Sequence, residues 1–81
     1  MSLMVFTLGE TLIELGITKN KLAVEAKIRP TTISNLVSGE VGLIRFDTLQ
    51  AILDALNELA VEKGINKTYR IEDIVQYIKK S

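Results

Sequence analysis

Lys19-Asn-Lys-Leu-Ala-Val-Glu-Ala-Lys-Ile-Arg-Pro-Thr-Thr-Ile-Ser-Asn-Leu-Val-Ser-Gly39 decides how this chain folds. The stretch reads as two short helices joined by a tight turn. Thr18 stands where an N-cap hydroxyl is wanted, ahead of a helix carrying Leu22, Ala23 and Ala26. Pro30 suits the first turn of the next helix, where its missing N–H leaves no bond unmade. Ile33 and Leu36 point that helix inward, and Gly39 stops it. Ala23 is small where the two helices come closest. Leu22, Ala26, Ile28, Ile33 and Leu36 lock the pair to the rest of a core. Lys19, Lys21, Arg29, Thr31, Thr32, Asn35 and Ser38 are polar and face away. The second helix is therefore built to be presented outward, and the commonest use of such a unit is to enter the major groove of DNA.

Working outward, Thr7-Leu-Gly-Glu10 has the form of a capping box, and Leu8, Leu12 and Leu15 follow at helical spacing up to Gly16. Beyond Gly39 an irregular loop runs to Phe46. Asp47-Thr-Leu-Gln50 is a second capping box, and Leu49, Ile52, Leu53 and Leu56 mark one face of a longer helix ending near Gly64. Ile71, Ile74, Val75 and Ile78 give a fifth apolar stripe at helical spacing. The expectation is one all-α domain over residues 1–81, a bundle of about five helices over 8–15, 19–26, 30–38, 48–63 and 71–80. Residues 1–6 are read as a leader and 64–70 as a linker. Val5-Phe6 and Tyr69-Arg70-Ile71 are the only candidates for a short β-ribbon.

Composition narrows function. The 81 residues contain no cysteine and no histidine, so disulfides and thiolate chemistry are excluded, as are the commonest general base and metal ligand. Glu10, Glu14, Asp54 and Glu58 are read as capping and surface acids, because no nucleophile or base accompanies them. No enzyme activity, cofactor or metal is expected. No apolar run is long enough to cross a bilayer, and the first residues lack the form of a signal peptide, so the expected compartment is the cytoplasm. The formal net charge of zero weighs against a nucleic-acid partner, since such affinity rests on Lys and Arg neutralising phosphates. The distribution answers this. Between Ile17 and Gly39 stand Lys19, Lys21, Lys27 and Arg29 against Glu25 alone, whereas Asp47, Asp54, Glu58 and Glu62 lie between Phe46 and Glu62 with no basic residue. One side is locally positive while the total vanishes.

With these residues in register, the segment from about Leu8 to Leu56 resembles the helix-turn-helix of phage-repressor and Cro-like (Xre family) transcription regulators. The resemblance rests on Ala23 as the small residue of the second helix, on Leu22, Ala26, Ile28, Ile33 and Leu36 as its apolar positions, on Gly39 after the recognition helix and on the apolar helix from Asp47 to Leu56. It implies a lambda-repressor-like fold and sequence-specific binding of double-stranded DNA by a small regulator, a repressor, with residues 30–38 in the major groove. It further implies phosphate contacts from Lys19 and Asn20 and the start of the third helix, and base contacts from Thr31, Thr32 and Asn35, with Arg29 reaching either. Ser38 and Arg45 complete the expected DNA-binding set. The family usually has glycine where this chain has Lys27, at a turn position that takes left-handed backbone. A homodimer through a C-terminal helix bearing Ile71, Ile74, Val75 and Ile78 is expected, which would set two recognition helices about 34 Å apart along DNA. The competing reading is a protein-interaction or antitoxin-like accessory module with weak or lost DNA binding, motivated by zero net charge, Lys27 and the apolar loop Val41 to Ile44.

Overall fold

The computed structural model describes residues 2–79. In chain order they form β1 (Ser2–Phe6), α1 (Leu8–Leu15), α2 (Lys19–Ala26), α3 (Pro30–Ser38), α4 (Phe46–Glu62), a single 3-10 turn (Ile71–Asp73) and β2 (Val75–Lys79). β1 and β2 pair antiparallel, with Ser2 opposite Lys79, Met4 opposite Tyr77 and Phe6 opposite Val75. The fold is thus mostly helical, with four helices and a two-stranded ribbon, and corrects the expectation of an all-α five-helix bundle.

The helices pack through one apolar cluster. Leu8, Leu12 and Leu15 come from α1, Leu22 and Ala23 from α2, Ile33 and Leu36 from α3, and Ile52, Ala55, Leu56, Leu59 and Ala60 from α4. Tyr69 and Ile74 complete it from the C-terminal segment. Burying each large aliphatic side chain contributes about 1.5–3 kcal/mol. Helix ends follow from local chemistry. The Thr18 hydroxyl accepts from the Lys21 N–H at 3.0 Å, as an N-cap should. Gly39 ends α3 at φ 80°, and a Cβ there would stand 3.3 Å from the Phe6 ring, so two constraints coincide on glycine. Lys63 Nζ donates to the carbonyls of Leu15 (2.8 Å) and Gly16 (3.0 Å), placing a cation at the negative end of α1.

Both expected capping boxes are absent, for identifiable reasons. Thr7 precedes α1 but makes no side-chain cap bond; its hydroxyl donates instead to the Glu72 carbonyl at 2.7 Å. Thr11 does the same to Asp73 at 2.6 Å, and the Thr7 N–H reaches Ile74 O at 2.9 Å. The carbonyls of residues 72–74 therefore sit at the positive end of α1, where Ile74 O accepts the Thr7 N–H from another segment. At α4 the helix starts two residues earlier, at Phe46, with Arg45 as N-cap; Asp47 lies in its first turn and pairs with Arg45.

The expected helix over 71–80 is a turn and a strand, its Lys80 lying outside the described residues. Ile71, Ile74, Val75 and Ile78 are β-branched throughout, and such side chains favour a pleated surface over a helix once a partner strand exists. That partner is Ser2–Phe6, read from sequence as leader. Val5 and Phe6 do enter a ribbon, but opposite Gln76 and Val75 rather than Tyr69–Ile71. The segment 64–70 is held by Asn57: its Oδ1 accepts from Tyr69 N–H at 2.7 Å while its Nδ2 donates to Tyr69 O at 3.2 Å. Lys67 pairs with Glu14 at 2.6 Å, and the Tyr69 hydroxyl donates to the same carboxylate at 3.1 Å. These bonds, from Lys67 first and then Tyr69, hold the Glu14 carboxyl below its usual range. The contribution of Glu14 to stability is therefore present above the unfolded carboxylate value and fades as acid protonates it.

Lys27 adopts φ 59° and ψ 44° and is the one described non-glycine residue at positive φ. Left-handed backbone costs a side chain with a Cβ about 1–2 kcal/mol. Glycine would relieve that strain but adds unfolded-chain entropy of about 0.4–1 kcal/mol. Lys27→Gly is therefore expected to stabilise the fold by about 0.5–1 kcal/mol, raising Tm by several degrees in thermal melts followed by circular dichroism. An unchanged or lower Tm would show that the turn is not strained.

Candidate nucleic-acid interface

The α2–α3 pair presents an outer surface whose make-up follows from which residues the core consumes. Leu22, Ala23, Ile33 and Leu36 are buried and Ala26, Ile28, Ser34 and Val37 half-buried, leaving Lys19, Asn20, Lys21, Arg29, Thr31, Asn35 and Ser38 to solvent. Lys19 and Asn20 open α2 and are exposed. Arg29 is the exposed N-cap of α3, with φ −63° and ψ 136° and no side-chain cap bond. Pro30 brings no N–H, so the Thr31 N–H opens the helix with no acceptor inside it, at the positive end of the dipole. Thr31 and Asn35 are exposed and Thr32 is half-buried.

The structure gathers only some of the expected residues into one place. Thr32, Asn35 and Arg45 line an open groove of about 360 Å³ between α3 and the loop that follows it, together with Glu40 and Thr48. Lys19 stands elsewhere, beside a shallower depression bounded by Phe6, Glu10, Ile13 and Val37. The expected set is therefore a groove flanked by outlying cations rather than a continuous pocket. Arg45 bonds Asp47 at 3.0 Å with both side chains largely exposed. Such a pair is worth about 0–1 kcal/mol, so a phosphate can take the guanidinium from it at little cost. Ser38 is exposed but bonded to its own helix end: its hydroxyl lies 3.2 Å from Asn35 O and 3.0 Å from Glu40 Oε1. Its single proton is already engaged by the protein, which makes it a support for neighbours rather than an outward donor.

Two groove residues escaped the sequence reading. In the sequence Thr48 stands out only as part of a capping box, and Glu40 lies outside the expected DNA-binding set. The signal for Glu40 was its place directly after the stop glycine, where the chain still runs beside α3. Its N–H donates to Asn35 O at 2.9 Å. Among the described residues there is no group of acids that could hold a metal ion, and no helix is long and apolar enough to cross a membrane.

The Cro/C1-type helix-turn-helix DNA-binding domain model matches residues 7–59, which spans α1 to α4 and more than half of the chain. Comparison with curated proteins and with solved structures returns no match. The match covers the whole of the α2–α3 pair, and on it the chain belongs to the Cro/C1-type helix-turn-helix DNA-binding family.

Proposed function

We propose that this domain is a sequence-specific regulator of transcription that represses by occupying double-stranded DNA, with α3 in the major groove. The observation that carries the reading is the acid-poor polar row of Arg29, Thr31, Thr32 and Asn35 on a helix whose opposite side is locked in the core. Lys19, Asn20, Arg29 and the α3 N-terminus take phosphates, as does Arg45 after release from Asp47. Thr31, Thr32 and Asn35 read base edges, Asn35 by a bidentate pair with adenine. Ser38 contributes by holding the end of α3. The cytoplasm is the compartment this role calls for.

The proposed homodimer needs a different surface from the one expected. Ile74 is fully buried in this chain's own core and is unavailable to a partner. Leu3 and Ile78, opposite each other on one face of the ribbon and both exposed, supply the apolar contact instead. A two-stranded ribbon is marginal alone, which supports added pairing from a second copy.

Selection of duplexes from random DNA, followed by anisotropy titration at several salt concentrations, tests the reading. With Lys19, Arg29 and Arg45 on phosphates, log affinity is expected to fall with log salt at a slope of about −3 per protomer. No enriched sequence and a flat salt response would end it. A second reading, an interaction module with little DNA affinity, draws support from Leu43 and Phe46, each 88% exposed beside the groove. Stable capture of a protein by these two residues, lost in the Leu43→Ser, Phe46→Ser double variant, with no salt-sensitive DNA affinity, would favour it.

A further inference from the structure

The geometry points to Glu40 as a specificity-determining residue that reads a cytosine in the major groove. This rests on the DNA-binding reading above and goes beyond it by assigning a base to a residue outside the expected set. Glu40 lines the same open groove as Thr32, Asn35 and Arg45. Its backbone is fixed one residue past Gly39 by the 2.9 Å bond to Asn35 O, and its Oε1 lies 3.0 Å from the Ser38 hydroxyl, whose proton it shares with Asn35 O at 3.2 Å.

Within the fold this acid has the Ser38 hydroxyl but no cation to pair with among the described residues. A carboxylate at the C-terminal end of a helix meets the negative end of the dipole, the wrong end for stability. The ion pairs among the described residues are Arg45–Asp47 and Lys67–Glu14, and neither involves Glu40. Beside a phosphate backbone the charge is repulsive unless a donor meets it. A carboxylate only accepts hydrogen bonds. Guanine offers the major groove two acceptors, and thymine an acceptor and a methyl group. Adenine sets its amino donor beside an acceptor nitrogen, which repels the second carboxylate oxygen. In the duplex the cytosine amino group has the paired guanine O6 on one side and only a C–H on the other, whereas the adenine amino group is flanked by acceptors on both sides. The carboxylate therefore favours cytosine, with Ser38 as its positioning residue.

The test uses the full chain in three forms: wild type, Glu40→Gln and Ser38→Ala. Each is put through selection from random duplex DNA at two salt concentrations. Anisotropy follows on the selected site with each of the four bases at the indicated position. Wild type is expected to prefer cytosine there by about tenfold, the range of one charge-assisted base contact. Glu40→Gln, which also donates, is expected to lose that preference while binding all four sites at least as tightly. Ser38→Ala is expected to keep cytosine first at a reduced ratio. Identical consensus sequences for wild type and Glu40→Gln, with a uniform rise in affinity and a steeper salt slope, would make Glu40 a repelling charge and overturn the assignment alone. Failure of wild type to enrich any sequence would overturn the DNA reading beneath it and the assignment together. Unchanged far-ultraviolet circular dichroism is expected in both variants, because both side chains are exposed.

Discussion

Replacing Lys19 and Arg29 together by Glu is expected to weaken DNA binding by roughly 100-fold or more at moderate salt while leaving the fold intact. The two residues stand at the starts of α2 and α3, the ends where helix dipoles already favour an anion. Each substitution removes a cation from a phosphate and sets an acid there, so attraction turns to repulsion at two points. The remaining salt dependence should flatten, since about two fewer counterions are released. Stability should hardly change. Both side chains are exposed and neither takes part in an ion pair among the described residues. Anisotropy titration with the selected duplex, alongside thermal melts, separates the two effects. Affinity within a few-fold of wild type would remove the α2–α3 face from the interface.

The second large effect concerns stability. Ile74→Ala is expected to destabilise the domain by about 2–5 kcal/mol, the range for emptying a fully buried aliphatic site. Ile74 is 0% exposed, although it lies outside the residues matched by the family model, 7–59. The total stability of a domain this size is about 4–12 kcal/mol, so the loss is a large share of it. Had the C-terminal segment been a helix serving only a partner copy, the same change would spare the folded monomer and weaken association instead. Chemical denaturation at two protein concentrations tells these apart. A midpoint shift independent of concentration supports burial within one chain, and a shift confined to high concentration would contradict it.

Which parts of this structure were readable in advance has a physical pattern. The first three helices lie over the expected residues because their signals are local: apolar spacing, Thr18 and Pro30 at starts, Gly16 and Gly39 at stops. Lys27 takes the left-handed turn that position in the motif called for. What failed was non-local. Ile71, Ile74, Val75 and Ile78 carry helical spacing, but Val75 and Ile78 pair with a strand about seventy residues away in the sequence while Ile74 enters the core, and no window around them contains Ser2–Phe6. Thr7 looks like a cap until Glu72 O arrives to take its proton. The interface divides in the same way. Exposed polar positions on α3 follow from periodicity, whereas the shared groove of Asn35, Glu40 and Arg45 depends on how the loop after Gly39 returns.

The ribbon also brings residue 2 opposite residue 79, so the backbone between them closes on itself. In a domain cut to residues 2–79, a short glycine-serine bridge would join that pair, and new ends opened at Gly42, exposed and with open space around it, would leave every helix whole. Such a circular permutant should retain the architecture. It would carry any appended cargo beside the recognition groove instead of at the ribbon, which gives a direct handle on how closely a second body can approach that face.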